Sequence, residues 1–224
     1  MPVYQLPAHN EDWFPPPSAF DPGQDIVAIG GDLHHLRLKT AYQSGIFPWF
    51  NPGEEILWWC PQKRMVLKPE EVHISKSTRN LINQQRFTYK RDQNFEAVIE
   101  RCQKIKRKGQ QGTWLSNSLK HNFIQLHHAG MAHSYEAYQN DQLVGGLYGL
   151  AVGGVFTGES MFSEKSNASK LCFIELCRHL QEQNFLLIDC QVYNTYLASL
   201  GAYEIDREEF LKLLAKGREM AVQF

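Results

Sequence analysis

The 224-residue chain has no C-x-x-C pair among its five cysteines. They are scattered as Cys60, Cys102, Cys172, Cys177 and Cys190. An odd number without metal-binding spacing argues against a disulfide framework and against a zinc site. Nine histidines are present, but the adjacent pairs His34-His35 and His127-His128 have no further ligand at helical spacing. The sequence therefore predicts no metal site.

Long apolar runs are also absent, since none reaches the ~18–20 residues that a membrane-spanning helix needs. The first residues, MPVYQLPAHNEDW, lack the basic start and apolar run of a secretory signal. Hydrophobic residues make up 43% of the chain and charged residues 21%, which is enough apolar material for a packed core. We expect a cytoplasmic protein without a membrane partner, because scattered cysteines suit a reducing compartment.

Several catalytic and nucleotide-binding motifs are missing. The loop GxxxxGK[ST] and the fingerprint GxGxxG do not occur, and neither does the GxSxG nucleophile elbow. These absences argue against a nucleotide-phosphate loop and against an elbow serine. Nothing in the sequence marks Cys60 or Cys190 as a low-pKa nucleophile.

The net charge of −1 conceals a segregation along the chain. Residues 1–62 carry 2 Lys/Arg and 7 Asp/Glu (net −5), residues 63–112 carry 13 and 5 (net +8), and residues 113–224 carry 8 and 12 (net −4). A basic block between two acidic ones suggests a surface for a polyanion. A solvated basic helix would explain the same pattern, so both interpretations stay open.

Aromatic residues concentrate in a proline-broken stretch, GIFPWFNPGEEILWWCP (residues 45–61), which holds three of the five tryptophans. Its prolines are incompatible with a regular helix. Large aromatics in such a loop either plug a domain interface or form a stacking platform for a nucleobase. The neighbouring basic block favours the platform, and Trp114, directly after that block, is a further candidate.

Hydrophobic periodicity and turn residues place the expected elements. They are a strand at 26–29; a helix from an N-cap at Asp32 to Gly45; a strand at 65–69; helices at 77–84, 95–105 and, capped by Ser116, to Gly130; three strands of an antiparallel meander from His133; a helix capped by Ser166 or Asn167; a strand at 185–191; and helices at 194–200 and 206–219 around a strand at 202–205. This order predicts an α+β fold, in which a small N-terminal domain (1–62) packs on a mixed-sheet domain (63–224).

A single carboxylate, Glu159, lies inside the apolar segment GGVFTGESMF. Buried carboxylates are costly unless they are paired or functional. Strict alternation would place Glu159 on one strand face with Thr157 and Met161. The opposite face would carry Phe156, Ser160 and Phe162. An exposed edge position for Glu159 is the simpler alternative.

The segment FLLIDCQ ends an apolar strand with Asp189 and Gln191, which strict alternation would place on one face. A carboxylate beside an amide could orient an attacking amine and keep it neutral. Two solvated side chains at a strand end would give the same spacing.

Several segments, taken together, resemble one family. They are GGDL, AYQSGIFPWFNPGEEILWWCP, HISKS, GTWLS, LVGGLYG, FTGESMFS, NASK, LIDCQV and ASLGA. In this order, from Gly30 to Ala202, they are similar to the bacterial leucyl/phenylalanyl-tRNA–protein transferases.

The resemblance implies an aminoacyltransferase that moves Leu or Phe, and weakly Met, from aminoacyl-tRNA to the N-terminal Arg or Lys of a protein, which marks that protein for degradation. It also implies that residues 63–224 are similar to the GCN5-related N-acetyltransferases. The pyrophosphate loop of an acetyltransferase would precede the Asn167 helix, where SEKSNAS contains no glycine. This departure argues against a CoA donor. Because an aminoacyl ester is already activated, we expect no cofactor.

The resemblance also implies roles for single residues. Asp189 would orient Gln191, and Gln191 would hold the incoming amine, so these two form the expected catalytic pair. Glu159 would bind the acceptor's N-terminal Arg or Lys, where a carboxylate suits a cation.

Three larger sets follow from the same resemblance. The terminal adenosine of the tRNA would be received by Trp49, Trp114, Tyr42 and Phe123. The donor side-chain pocket would be lined by Leu147, Phe156, Phe173, Leu180 and Ile188. The tRNA acceptor stem would be held by Lys76, Arg79, Arg86, Lys90 and Arg91. Trp58 and Trp59 would instead pack the two domains together, and we expect a monomer.

Two other functions fit parts of the pattern. A CoA-dependent N-acyltransferase on the same fold would need the missing glycine loop. A non-catalytic RNA-binding module would account for the basic block and the aromatics, but it would leave Glu159, Asp189 and Gln191 without a role.

Overall fold

A computed structural model describes residues 3–8, 13–105 and 115–224. Its strands are β1 (Tyr4–Leu6), β2 (Ile26–Gly30), β3 (Phe47–Pro48), β4 (Leu57–Trp59), β5 (Lys63–Leu67), β6 (Thr88–Arg91), β7 (Ala132–Gln139), β8 (Gln142–Val152), β9 (Val155–Ser163), β10 (Leu187–Gln191) and β11 (Tyr203–Asp206). Its α-helices are α1 (His35–Gln43), α2 (Lys76–Asn83), α3 (Phe95–Lys104), α4 (Asn117–His128), α5 (Ala168–Glu182), α6 (Thr195–Ala198) and α7 (Arg207–Arg218). Trp114 and the end of the basic block, Lys106 to Lys108, lie outside the described residues.

The larger sheet has seven strands in the order β11-β5-β10-β9-β8-β7-β6. The predicted meander is confirmed, because β7, β8 and β9 pair successively in antiparallel fashion. Strand β10 returns beside β9 in parallel and pairs with β5 in antiparallel fashion. The sheet is therefore mixed, and the predicted α+β class is confirmed. Its likeness to the acetyltransferases stays a prediction.

The N-terminal segment forms a four-stranded sheet of order β1-β2-β4-β3. Trp58 on β4 is completely buried there, and its indole nitrogen donates to the carbonyl of Gly30 over 2.9 Å. Apolar side chains from both sides of residue 62, such as Leu38, Val66 and Phe210, share one buried cluster. The division into domains 1–62 and 63–224 stays a prediction, but its two parts bury a common core.

Helix starts follow capping chemistry in most places. Ser116 accepts a hydrogen bond from the backbone nitrogen of Leu119, as predicted for an N-cap. The predicted cap at Asp32 is wrong, because His34 is the N-cap of α1 and Asp32 accepts instead from the His34 backbone nitrogen. An Asx-type turn thus uses the carboxylate just before the helix begins.

Asn167, one of the two predicted positions, is the N-cap residue of α5. Asn167 has a left-handed φ of 65° and makes no capping hydrogen bond through its side chain.

Within the described ranges, no helix is both long and apolar enough to cross a membrane. The same residues contain no cluster of three or more His, Cys, Asp and Glu side chains that could hold a metal ion.

Candidate active site

A cavity of about 380 Å³ opens between the β8–β9–β10 part of the large sheet, helix α5 and the aromatic stretch after α1. Its apolar lining includes Leu147, Phe156, Phe173, Leu176 and Ile188. Its polar lining includes Glu159, Ser160, Asp189, Gln191 and Asn194. Pro48 and Trp49 contribute from the N-terminal segment. The cavity has the size and the mixed lining of a small-molecule site.

Four of the five residues predicted for the donor pocket line this cavity, and Leu180 does not. Leu180 is fully buried in the same apolar cluster, one helical turn beyond the cavity wall. Leu176 lines the cavity instead, at i+3 from Phe173 on α5. The i, i+3, i+7 spacing of these three residues shows the face of α5 but not how far along the helix the cavity extends.

A β-bulge presents Glu159 to the cavity. Tyr148 of β8 is opposite Ser160, whereas its neighbour Gly149 is opposite Gly158, so Glu159 is the extra residue. A Cβ atom on Gly149 would lie 2.2 Å from the carbonyl oxygen of Thr157. Glycine is therefore needed where the two backbones come this close, a common feature beside a bulge.

This bulge overturns the predicted alternation along β9. Phe156 and Phe162 were expected on one face, but Phe156 packs in the cluster around the cavity and Phe162 packs in the main core on the other side. Met161, expected on the face opposite Phe156, lines the cavity with it. An inserted residue reverses the side-chain parity of everything that follows it.

A second bulge separates Asp189 from Gln191. Asp189 is opposite Val66 of β5 and Gln191 is opposite Met65, so Cys190 is the extra residue. Simple alternation therefore does not apply between the two residues, although both line the cavity. Gln191 has a left-handed φ of 65°, which is unusual for a side chain with a Cβ atom. Such strain is commonly found at functional sites.

Asp189 is 1% exposed and accepts four hydrogen bonds from protein groups. Its Oδ1 accepts from Arg64 Nε at 2.7 Å and from the Gln191 backbone nitrogen at 2.9 Å. Its Oδ2 accepts from Arg64 Nη2 at 2.6 Å and from Thr157 Oγ1 at 3.1 Å. Asp189 therefore contacts Gln191 through the backbone of that residue, and four protein donors occupy the four acceptor positions of its carboxylate.

Arg64 is the residue that sequence analysis missed. It is a charged residue beside the apolar run of β5, as Glu159 is on β9, but the predicted strand began one residue later at Met65. Arg64 is 1% exposed, so the pair with Asp189 is fully removed from water.

Gln191 and Glu159 are joined directly in the cavity. Gln191 Nε2 donates to Glu159 Oε1 over 2.7 Å. Burial raises the pKa of Glu159 to about 8, and the nearby charge of Asp189 also raises it. The Tyr42 hydroxyl and the Gln191 amide favour the charged form and partly oppose this shift in pKa. Glu159 is thus a carboxyl group that changes charge in the neutral to mildly alkaline range.

Cys190 also lines the cavity, next to these groups. Burial, and secondarily the charge of Asp189, raises the pKa of its thiol well above the usual range. The thiol is therefore held in its protonated, weakly nucleophilic form, which argues against covalent catalysis by this residue.

Only part of the predicted adenosine platform is accessible. Trp49 is 41% exposed at the cavity rim, and the indole of Trp59 donates to its carbonyl oxygen over 2.7 Å. Tyr42 and Phe123 are core residues with ring centroids 6.3 Å apart, and Phe123 has no exposed surface on which a base could stack. Trp114 lies outside the described residues.

The five cations predicted for the tRNA stem are exposed side chains on α2, on β6 and between them. They are Lys76, Arg79, Arg86, Lys90 and Arg91. Arg91 lies 2.8 Å from the ring of His179, and the ammonium of Lys90 lies 4.9 Å from the ring centre of Tyr138. The two β6 cations are therefore divided between the faces of the large sheet, with Arg91 on the α5 side and Lys90 on the side of Tyr138. Leu81 and Ile82 of α2 pack against a buried cluster that includes the first turns of α5, the helix whose next turn lines the cavity.

Comparison with known proteins gives consistent matches over most of the chain. A family model described as leucyl/phenylalanyl-tRNA protein transferase matches residues 66–215, and the model of its N-terminal domain matches residues 31–62. A leucyl/phenylalanyl-tRNA–protein transferase of Flavobacterium johnsoniae is 55% identical over 90% of this chain and 95% of the relative. Another, from Shewanella pealeana, is 49% identical over 96% of this chain and 91% of the relative.

Similarity to solved structures is much weaker. The structure of L-PGS from Bacillus licheniformis superposes with a TM-score of 0.46 at 12% identity, over 70% of this chain and 66% of that one. A similarity at this level supports no conclusion about fold or function.

Proposed function

The chain belongs to the leucyl/phenylalanyl-tRNA protein transferase family, and we propose that its cavity joins the Leu or Phe of an aminoacyl-tRNA to the N-terminal Arg or Lys of an acceptor protein. Transfer of Leu or Phe to protein N-termini, and its role in N-terminal-dependent degradation, follow from the family. The acceptors, the donor pocket and the residue roles belong to the proposal. The observation that carries it is one cavity whose apolar half adjoins the Glu159–Gln191 pair.

The chemistry suits this cavity because an aminoacyl ester is already activated. The neutral α-amine of the acceptor attacks the ester carbonyl, a C–N bond forms, the C–O bond to the terminal ribose breaks, and the ribose oxygen takes up the proton that the attacking nitrogen loses. Holding the amine against the ester can supply much of the rate by itself. No nucleotide hydrolysis, metal or CoA is required.

Gln191 is proposed to hold the attacking amine. Its NH₂ group faces the carboxylate of Glu159, so its carbonyl oxygen is the free edge of the amide. An amide oxygen accepts a hydrogen bond from a neutral amine but gives it no proton, so the nitrogen lone pair stays available for attack. The backbone bond to Asp189 fixes the position from which this oxygen acts.

The donor side chain is proposed to enter the apolar half of the cavity, between Leu147, Phe156, Phe173 and Ile188. Leu and Phe place their branching beyond Cβ, whereas Ile and Val carry an extra methyl group at the narrow entrance. One misplaced methyl group contributes only about 1–3 kcal/mol of discrimination, so weak use of Met is expected. The terminal adenosine would stack on Trp49 and Trp114.

The acceptor's cation is proposed to pair with ionised Glu159. A hydrogen bond to a charged group contributes about 1.5–3 kcal/mol. Because the pKa of Glu159 is raised to about 8, this pairing is weak at pH 6.5, where the carboxyl group is neutral, and strong at pH 9, where it is charged. Binding of the acceptor would itself favour the charged form.

This gives a pH-dependent prediction for Glu159→Gln. Neutral glutamine imitates protonated glutamate, so the acceptor KM of the variant should match that of the parent at pH 6.5 and exceed it about tenfold at pH 9. The α-amine of the acceptor titrates in both proteins, so the ratio of the two KM values isolates Glu159. A ratio that stays constant from pH 6.5 to 9 would contradict acceptor binding by this carboxylate.

The tRNA stem is proposed to lie on the cations of α2 and β6. For each phosphate contact, the logarithm of the affinity falls by about 0.7–0.9 for every tenfold increase in salt concentration, largely independently of sequence. Lys76→Gln/Arg79→Gln should therefore weaken aminoacyl-tRNA binding and reduce the salt slope by roughly 2. Turnover at saturating tRNA should stay unchanged.

Lys212→Gln/Lys216→Gln on α7 is the matched control, since it removes two equally exposed positive charges elsewhere. Filter binding at several salt concentrations measures both variants. Equal salt slopes for the two double variants would show that α2 does not contact the tRNA.

The remaining expectations form part of the same proposal. If residues 63–224 are similar to the acetyltransferases, the acceptor amine would lie where an acetyltransferase binds the amine of its own substrate. We also expect the protein to act as a monomer in the cytoplasm. The SEKSNAS sequence, which leads into the first turn of α5, has no glycine to form a pyrophosphate loop, and this supports a donor other than CoA.

The test is transfer of radiolabelled Leu from Leu-tRNA to a protein with N-terminal Arg. We expect label in the acceptor, and none when the acceptor is N-acetylated or when free Leu with ATP replaces Leu-tRNA. Radiolabelled acetyl-CoA tests the CoA-dependent alternative. Binding of Leu-tRNA without any transfer would favour the RNA-binding module.

A further inference from the structure

The buried guanidinium of Arg64 joins the two sides of the cavity. On the sheet side it binds both carboxylate oxygens of Asp189, over 2.7 and 2.6 Å. On the side of the N-terminal segment its third nitrogen donates to the carbonyl oxygen of Gly45 over 3.1 Å. Gly45 comes two residues before β3, which leads directly into Trp49 at the cavity rim.

Aromatic rings hold this guanidinium from two further sides. Its central carbon lies 4.7 Å from the ring centre of Phe47 and 4.4 Å from that of Phe210. Phe47 also lines the cavity, and Phe210 belongs to α7 outside it. A planar group that uses Nε, Nη1 and Nη2 in three bonds while its faces contact rings has very little freedom to move.

The sheet-side contacts continue to the reacting groups. Asp189 binds the backbone nitrogen of Gln191, and the Gln191 side chain binds Glu159. Gln191 is held at a left-handed φ that it would not adopt without such a constraint. The position of Asp189, and with it that of Gln191, therefore depends on a cation that itself never reaches the cavity.

We propose that Arg64 is a positioning residue for the transfer reaction, which sets Gln191 through Asp189 and sets the Phe47–Trp49 wall through Gly45 and Phe47. This inference rests on the proposed function. One buried side chain would thus hold Gln191, which contacts the amine, in a fixed position relative to the Phe47–Trp49 wall, which contacts the adenosine. A displacement of about 1 Å between reacting groups is enough to cost about 100-fold in rate.

Arg64→Lys is the discriminating variant. Lysine keeps the positive charge but cannot bind two carboxylate oxygens and a carbonyl in one plane. We expect the single-turnover rate at saturating substrates to fall about 100-fold. We expect the half-saturating concentration of 3′-leucyl-adenosine, a donor without an acceptor stem, to rise about tenfold, and the affinity for deacylated tRNA to stay within about twofold, because phosphate contacts do not involve Arg64.

Arg207→Lys is the matched control. Arg207 is also buried, but it donates to the backbone carbonyls of Asp21 and Gln24, outside the cavity. The control should lower the thermal midpoint to a similar extent without changing the transfer rate of the folded protein. If Arg64→Lys loses no more rate than Arg207→Lys at equal stability, Arg64 has only a structural role and the proposal is wrong.

A double-variant comparison tests the route through Asp189. Arg64→Lys combined with Asp189→Asn should be no slower than the slower of the two single variants, because both act through the same contact. Losses that multiply would overturn that route. If Arg64→Lys does not fold, Phe210→Leu leaves every hydrogen bond in place and should still slow transfer several-fold, whereas an unchanged rate would count against the proposal. Absence of transfer by the parent protein would instead reject the proposed function.

Discussion

Gln191→Ala is expected to slow single-turnover transfer about 100-fold while the affinity for aminoacyl-tRNA changes less than about twofold. Gln191 contributes one polar group to the cavity and, in the proposed function, touches the amine rather than the tRNA. The variant removes the amide oxygen that would hold the amine and frees the Glu159 carboxyl group. Rates at saturating acceptor and filter binding of Leu-tRNA measure the two quantities separately.

The control for this prediction is Gln139→Ala, which truncates an amide at the end of β7 outside the cavity. It should leave rate and affinity unchanged. A loss of rate in Gln191→Ala that is matched by an equal loss of affinity would mean that Gln191 binds the donor, contrary to its proposed role.

The sequence predicted the elements better than it predicted the directions of side chains. Strand β2, the meander and the Ser116 cap all depend on short-range signals, namely apolar periodicity, turn residues and a capping hydroxyl. These signals act within a few residues, so they do not depend on contacts with distant parts of the chain. The α+β class followed from the order of these elements.

The two bulges cannot be predicted from such short-range signals. Alternation assumes one residue per position on each strand, and extra residues at Glu159 and Cys190 break it at the two places where the cavity receives its polar groups. The requirement for a bulge arises between strands, where Gly149 meets the backbone of Thr157. Only the paired structure contains that contact.

Arg64 was missed for a related reason. Its partner Asp189 is 125 residues away, and nothing local distinguishes a buried arginine from a solvated one. A charged residue inside an apolar segment was the signal that identified Glu159, whereas Arg64 follows Lys63 at the edge of its apolar run and outside the predicted strand. The roles of single residues came from the family resemblance, since spacing alone left the solvated alternatives open.

Asp189→Ala is expected to lower the free energy of unfolding by about 3–5 kcal/mol, because it leaves the guanidinium of Arg64 buried without its counter-ion. Urea denaturation followed by circular dichroism measures this change. Asp206→Ala is the matched control, since it breaks the Lys63–Asp206 pair, whose 2.7 Å contact is as short as that of Arg64 with Asp189 but is exposed to solvent. The control should leave the free energy of unfolding nearly unchanged, because water screens an exposed pair.

The double variant Arg64→Met/Asp189→Leu separates the cost of an orphaned charge from the value of the pair. An apolar pair of similar volume removes both charges, so the double variant should be more stable than Asp189→Ala alone, although the Gly45, Thr157 and Gln191 hydrogen bonds are lost. It should nevertheless be inactive, since nothing then holds the Gln191 backbone. If it is as unstable as Asp189→Ala, or if it retains transfer, the pair does not act as described.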